Sequence, residues 1–221
     1  MTGIRMKSFS TAAVAAVFSL ALGPTAAAQQ EGWYGGVSVG RSTVHVSVTD
    51  WDDGTLTNDQ LEHSGAAYKV IAGYRFKPSL ALEICYLQFA DSKFTGYEPG
   101  GAPSLWKPGP VFGKAQAKGV SLEGVLARPF KNRYAVFVKG GLLMWNTTKL
   151  SDPTLAGGTL ALSDQQVLHD DGINLIYGVG AEMRFYQIWH ARLEWQHASV
   201  RFASTMERGV DFPSLGVTLD F

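Results

Sequence analysis

The sequence predicts an all-β protein, an eight-stranded antiparallel up-and-down transmembrane β-barrel. Apolar and polar residues alternate with a period of two in one segment after another, which is the pattern of a strand rather than a helix. The connections alternate between tight turns and longer polar loops, as in outer-membrane barrels. Beyond residue 28 no apolar stretch reaches the roughly 20 residues that a membrane helix requires.

The first 28 residues are predicted to be a signal peptide. Arg5 and Lys7 precede an apolar run over 12–22, and small residues at 26–28 place cleavage before Gln29. The alternative is an uncleaved anchor helix, but the run is too short to span a bilayer. We therefore expect the domain at 29–221 to be exported.

The charge balance of the expected mature domain gives no reason to predict a nucleic-acid partner. Removing Arg5 and Lys7 from the 19 basic residues leaves 17, against 19 acidic residues, a net charge of −2. Cys85 is the only cysteine, so the fold cannot depend on an internal disulfide. The five histidines have no metal-ligand spacing, and we predict neither a metal nor a cofactor.

Eight strands follow from the alternation. In 66–76, for example, the even positions are apolar and the odd positions include Lys69 and Arg75. In the first strand the apolar parity changes between Val39 and Val44, which predicts a bulge. The predicted strands cover residues 33–48, 64–76, 79–92, 113–127, 133–147, 172–186, 189–203 and 210–221.

The connections define two ends of the barrel. Tight turns lie at 76–79, 128–132 and 186–188. The longer polar segments are 49–63, 93–112 and 148–171, with a shorter one at 204–209. An even strand number puts both chain ends on the short-turn side, and the longer loops on the outer side.

Alternation alone also fits a soluble lipocalin-like barrel, whose apolar face points inward. The less apolar face here consists mostly of Gly, Ala and Ser, which suit the narrow interior of eight strands. Aromatic residues concentrate near the short turns, and Tyr86, Trp145, Trp195 and Phe202 are candidates for an upper ring. These two features favour an apolar face in contact with lipid.

Charged residues on the less apolar face lie at similar distances from their short turns, so we predict a layer of buried ion pairs inside the barrel. Such a layer would block a wide pore and leave at most a narrow or gated one. The predicted interior charge layer comprises Lys69, Glu83, Glu123, Lys139, Glu182, Arg192 and Glu194.

Several segments in order resemble the OmpA-type outer-membrane barrels: 32–36 the opening strand, 73–83 the first hairpin, 175–182 and 191–195 the sixth and seventh strands, and 210–221 the closing strand. The resemblance implies a bacterial outer-membrane location, an interior network to which Glu83, Lys139, Glu182 and Arg192 correspond, and a terminal aromatic, Phe221, recognised by the barrel-assembly machinery. It also implies contact with outer-membrane lipid and lipopolysaccharide. Because the sequence ends with the closing strand, we expect a short, barrel-only, monomeric member without the peptidoglycan-binding domain.

The favoured prediction is a non-enzymatic structural or surface protein, and two alternatives stay open. His197-Ala198-Ser199 resembles the His-x-Ser pair of lipid A deacylases of the PagL type, with Glu207 as a possible orienting acid. The resemblance departs from that family at Val200, where Asn is usual. The second alternative is an adhesin or receptor acting through the loops near 93–112 and 148–171.

Overall fold

The computed structural model describes residues 31–45, 57–99, 109–131, 133–151, 166–202 and 206–221. The predicted signal peptide lies outside these residues. No helix in the described part of the chain is both long and apolar enough to cross a membrane. The described residues form ten strands: β1 Gly32–Val44, β2 Thr57–Glu62, β3 Ser64–Lys77, β4 Leu80–Gln88, β5 Ser92–Glu98, β6 Gly109–Phe130, β7 Tyr134–Ser151, β8 Gln166–Tyr186, β9 Trp189–Phe202 and β10 Met206–Asp220.

Eight of these strands close into an antiparallel ring, which confirms the predicted barrel. Each pairs with its neighbours in the order β1, β3, β4, β6, β7, β8, β9 and β10, and β10 pairs back onto β1. Two further strands extend the wall on the long-loop side, where β5 pairs with β6 and β2 pairs with β5. β2 continues the line of β3 beyond the barrel rim, and β5 continues the line of β4. They therefore lengthen two existing strands, and the barrel itself remains eight-stranded.

The strands extend further toward the long-loop side than the sequence pattern predicts. The predicted strand 79–92 is interrupted at residues 89–91 and resumes as β5, and β6 and β8 begin several residues earlier than expected. Parts of the predicted loops at 93–112 and 148–171 are therefore strand. Polar residues such as Lys93 conceal the strand character of these extensions, because water rather than lipid contacts their outer face beyond the membrane, whereas Phe94 is buried on the inner face.

The predicted bulge in the first strand is absent. The pairing of β1 with β3 keeps one register from Gly32 to Thr43. The parity of apolar residues changes because Val44 points into the barrel, where it is 1% exposed. Trp145 also points inward and is buried, so it does not belong to the predicted upper ring, whereas Tyr86 and Trp195 face outward.

Candidate functional site

The interior of the barrel contains two kinds of filling, ionic toward the short turns and apolar above. The apolar part includes Phe89, Phe212 and Trp145, and the two phenylalanine rings meet edge to face at 6.5 Å between centroids. Sequence reasoning missed this upper plug because its aromatic side chains interrupt the small-residue pattern of the inward face.

The structure buries all seven residues of the predicted charge layer, each at 5% exposure or less. Lys139 lies at their centre, with its Nζ 3.2 Å from Glu83, 3.0 Å from Glu123 and 2.7 Å from Glu194. Lys69 Nζ lies 2.7 Å from the same oxygen of Glu194. Each cation therefore lies against at least one carboxylate. This pairing offsets the cost of removing both charges from water.

Arg192 joins two of these carboxylates. Its Nη1 and Nη2 donate to the two oxygens of Glu83 at 2.5 and 3.2 Å, and its Nε donates to Glu194 at 3.0 Å. The guanidinium also lies 4.2 Å from the ring centroid of Phe137. A planar guanidinium suits this two-pronged contact, and the fork fixes the position of Glu83.

Neutral side chains complete the hydrogen bonding of this layer. Tyr34 donates its hydroxyl to Glu83 at 2.8 Å, Gln196 donates to Glu123 at 3.0 Å, and Ser121 also donates to Glu123. The amide oxygen of Gln196 accepts from Lys69 at 2.7 Å. Tyr34 and Gln196 face inward at the height of the charges, which is the sequence signal that could have identified them.

Glu182 belongs to a second, lower group rather than to the contacts around Lys139. His190 Nδ1 lies 3.1 Å from Glu182, and Arg75 lies 3.7 Å from it. Asp220 contacts the same two residues, with both distances at 2.9 Å. Counting residues from each turn did not resolve these two levels. Because the strands are tilted, residues at the same number of positions from their turns lie at different heights in the barrel.

In the described part of the chain, the two groups fill the lower interior of the barrel rather than line an open channel. A cavity of about 10 Å³ lies between them, bordered by Tyr34, Arg75, Glu83 and Glu182. This volume is roughly what one water molecule requires. Above the ionic layer the interior is occupied by the apolar plug described above.

A second polar cluster lies on the outer face of the barrel, near the upper end of β9. His197 Nδ1 lies 2.8 Å from one oxygen of Asp211, and His45 Nε2 lies 2.7 Å from the other. These side chains are partly open, at 26% exposure for His197, 27% for Asp211 and 56% for His45. The carboxylate thus orients two imidazole rings, whose remaining nitrogens are directed away from it.

Ser199 lies on the same face as His197, two residues further along β9. Its cross-strand partner is Gly209, and a side-chain carbon at Gly209 would lie 3.0 Å from His197 Cε1 and 3.4 Å from Nε2. The Cε1–Nε2 edge of the His197 ring is therefore directed toward the cross-strand pair formed by Ser199 and Gly209. Asp211, which sequence reasoning did not select, is the carboxylate in contact with His197, and the side chain of Glu207 lies outside the described residues.

The last residue, Phe221, is 83% exposed, and its backbone N–H donates to the carbonyl of Trp33 at 2.9 Å. Its proposed recognition by the assembly machinery stays a prediction. No group of three or more metal-ligating side chains is found among the described residues.

The sequence matches the profile of the OmpA-like transmembrane domain over residues 28–210. Solved structures with similar folds include Neisserial surface protein A, which is 13% identical with a TM-score of 0.54 and covers 86% of this chain and 97% of its own. Two others are the N-terminal β-barrel domain of Pseudomonas aeruginosa OprF (13% identity, TM-score 0.46, 87% and 100% covered) and the attachment invasion locus protein Ail of Yersinia pestis (14%, 0.47, 87% and 100%). No curated protein sequence matches.

Proposed function

Because this chain belongs to the family of OmpA-like transmembrane domains, and is thus an integral β-barrel of the bacterial outer membrane, we propose that it is a non-enzymatic structural or surface protein with a closed interior. The observation that carries this proposal is the arrangement of Lys139, which contacts three carboxylates at 3.2 Å or less in the middle of the barrel. An ion entering from either side would have to separate these pairs in a medium of low dielectric constant.

Planar-bilayer recording tests the closed interior. The purified protein should give no large and steady conductance, because the ionic layer and the apolar plug occupy successive levels of the same narrow barrel. Brief, small openings are compatible with a gated leak. A large conductance that persists through the recording, in protein that shows the gel shift of a folded barrel, would contradict the proposal.

The second candidate is an acyl-ester hydrolase that acts on lipid A. It is favoured by one specific observation, the 2.8 Å contact between His197 and Asp211 beside Ser199. In such an enzyme Asp211 would hold the Nδ1–H, Nε2 would take the proton of Ser199, and the serine oxygen would attack the ester carbonyl. The leaving alcohol would take that proton, and water would then release the fatty acid from the acyl-enzyme.

Mass spectrometry of lipid A separates the two candidates. Lipid A from cells that make the wild-type protein would lack one acyl chain if the hydrolase hypothesis is correct, and Ser199→Ala would restore the chain. Identical lipid A in cells with and without the protein would remove that hypothesis and leave the structural role. An adhesin or receptor role for the long loops stays a prediction, which loop deletion in a folded barrel would test.

A further inference from the structure

The outer face of the barrel carries an apolar groove of about 640 Å³. Leu126, Val138, Val179, Trp195 and Pro213 are successive cross-strand partners on β6 to β10, so they form one continuous row across five strands. With strands about 4.8 Å apart, this row is about 19 Å long. The groove is thus comparable in length to the roughly 15 Å of hydrocarbon in one leaflet of a bilayer.

The row on the short-turn side forms the lower wall of the groove. Val136, Ala181 and Leu193 are cross-strand partners there. Val136 and Leu193 are exposed, outward-facing side chains, and the small methyl group of Ala181 between them leaves the depression open.

The row on the long-loop side contains the polar cluster, so groove and cluster form one continuous surface. Tyr177, His197 and Asp211 are consecutive cross-strand partners in this row. Trp195, a groove residue, stacks on the His197 ring at 6.2 Å between centroids, and Tyr177 lies 5.3 Å from the same ring. A ligand with an apolar tail and a polar head could contact both parts at once.

The height of these residues identifies the leaflet. At about 3.3 Å per residue and a tilt of about 40°, His197 lies roughly 23 Å above its short turn, and Leu126 roughly 12 Å. The apolar band of an outer-membrane barrel is about 25 Å tall. The row from Leu126 to Pro213 therefore lies in the leaflet on the long-loop side, the cluster lies where acyl chains join their head groups, and Arg128 and Val136 extend the groove toward the short turns.

We propose that the groove and the His197–Asp211 cluster form a binding site for one lipopolysaccharide molecule of the outer leaflet. One acyl chain lies along Val138, Val179 and Trp195, and its ester group lies beside His197 and Ser199. The long-loop side is the external side of such barrels, which is why the occupant is the lipid of the outer leaflet rather than a phospholipid of the inner one. This inference goes beyond the closed-barrel role and holds whether or not the ester is cleaved.

A groove-filling substitution tests the proposal. Ala181→Phe places a ring in the depression, and Ala72→Phe is its matched control. Ala72 is also exposed and outward-facing, also lies six residues from its short turn, but belongs to β3, outside the groove. Each protein is folded in detergent with purified lipid A or, separately, with phosphatidylethanolamine, and retained lipid is measured by native mass spectrometry.

Wild-type protein and Ala72→Phe should retain one lipid A, whereas Ala181→Phe should retain it roughly tenfold more weakly. The mass of the retained lipid A shows whether an acyl chain has been removed, which separates binding from hydrolysis. Equal retention by the two phenylalanine variants, failure of the wild type to retain lipid A, or equal retention of phosphatidylethanolamine would each overturn the proposal.

Discussion

The interior charge layer and the outer polar cluster both place carboxylates against nitrogen-bearing side chains. They differ in how far those side chains are buried, so we call the first cluster closed and the second open. Around Lys139 every partner is at 5% exposure or less, and each carboxylate meets several donors. Around Asp211 the side chains are between 26% and 56% exposed, and each imidazole keeps one nitrogen directed away from the carboxylate. A closed cluster stabilises the fold, whereas an open one can also bind a ligand.

The largest expected effect comes from removing the centre of the closed cluster. Lys139→Ala leaves Glu83, Glu123 and Glu194 without their shared cation, and we expect a loss of about 3–5 kcal/mol in the free energy of unfolding. Urea unfolding in lipid or detergent measures it. The matched control is Lys118→Ala on the exposed face of β6, which should change stability by less than about 0.5 kcal/mol. Equal free energies of unfolding for the two variants would show that burial of the ion pairs does not contribute to stability.

A smaller effect should follow from changing geometry while keeping the charge. Arg192→Lys retains a cation but loses the fork on Glu83 and the contact with the Phe137 ring. We expect a loss of about 2 kcal/mol, typical of hydrogen bonds to charged groups. Arg201→Lys, at an exposed position on β9, is the control for the same unfolding measurement. A loss as small as the control's would mean that charge alone determines the interaction.

In the open cluster we expect stability and ligand contact to respond differently. Asp211→Asn removes the charge that both histidines contact, but partial exposure limits the stability loss to under about 1 kcal/mol. Retention of lipid A should nevertheless fall, because the His197 ring is no longer oriented. Unfolding and native mass spectrometry on the same variant separate the two effects, and a loss of several kcal/mol with unchanged lipid retention would assign the cluster to the fold.

The smallest effect is expected at the water-exposed end of the wall. Lys114 lies 2.9 Å from Asp91, and Gln116 donates to it at 2.9 Å. Partial burial raises the pKa of Asp91, but hydrogen bonds from Lys114 and Gln116 outweigh burial and hold the pKa below its usual value. The stabilisation is therefore present above the unfolded pKa of about 3.9 and is lost as the pH falls through the lower folded pKa.

Asp91→Asn should consequently lower the free energy of unfolding by no more than about 0.5 kcal/mol at pH 7, and by less near pH 3. Glu62→Gln, at an exposed position on β2, is the control. A larger loss at pH 3 than at pH 7 would contradict this assignment of the sign.

The candidate sites were predictable to different degrees. All seven members of the charge layer could be selected because each charge lies on the less apolar face of its strand, at a similar number of residues from its short turn. Their division into a group around Lys139 and a lower group around Glu182 could not, because that depends on strand tilt and on side-chain length. The pair His197 and Ser199 is visible as a motif, but its carboxylate is not, since Asp211 reaches His197 only through the pairing of β9 with β10.

By itself the sequence determined the number of strands in the barrel, the direction each face points and the end on which the loops lie, because the period of two, the side-chain composition of each face and the turn residues are local properties of the chain. Only the closed barrel decided which charges touch and that a groove meets the His197–Asp211 cluster. Those outcomes depend on how paired and facing strands bring side chains together across the tilted barrel, which the pattern of a single strand does not give.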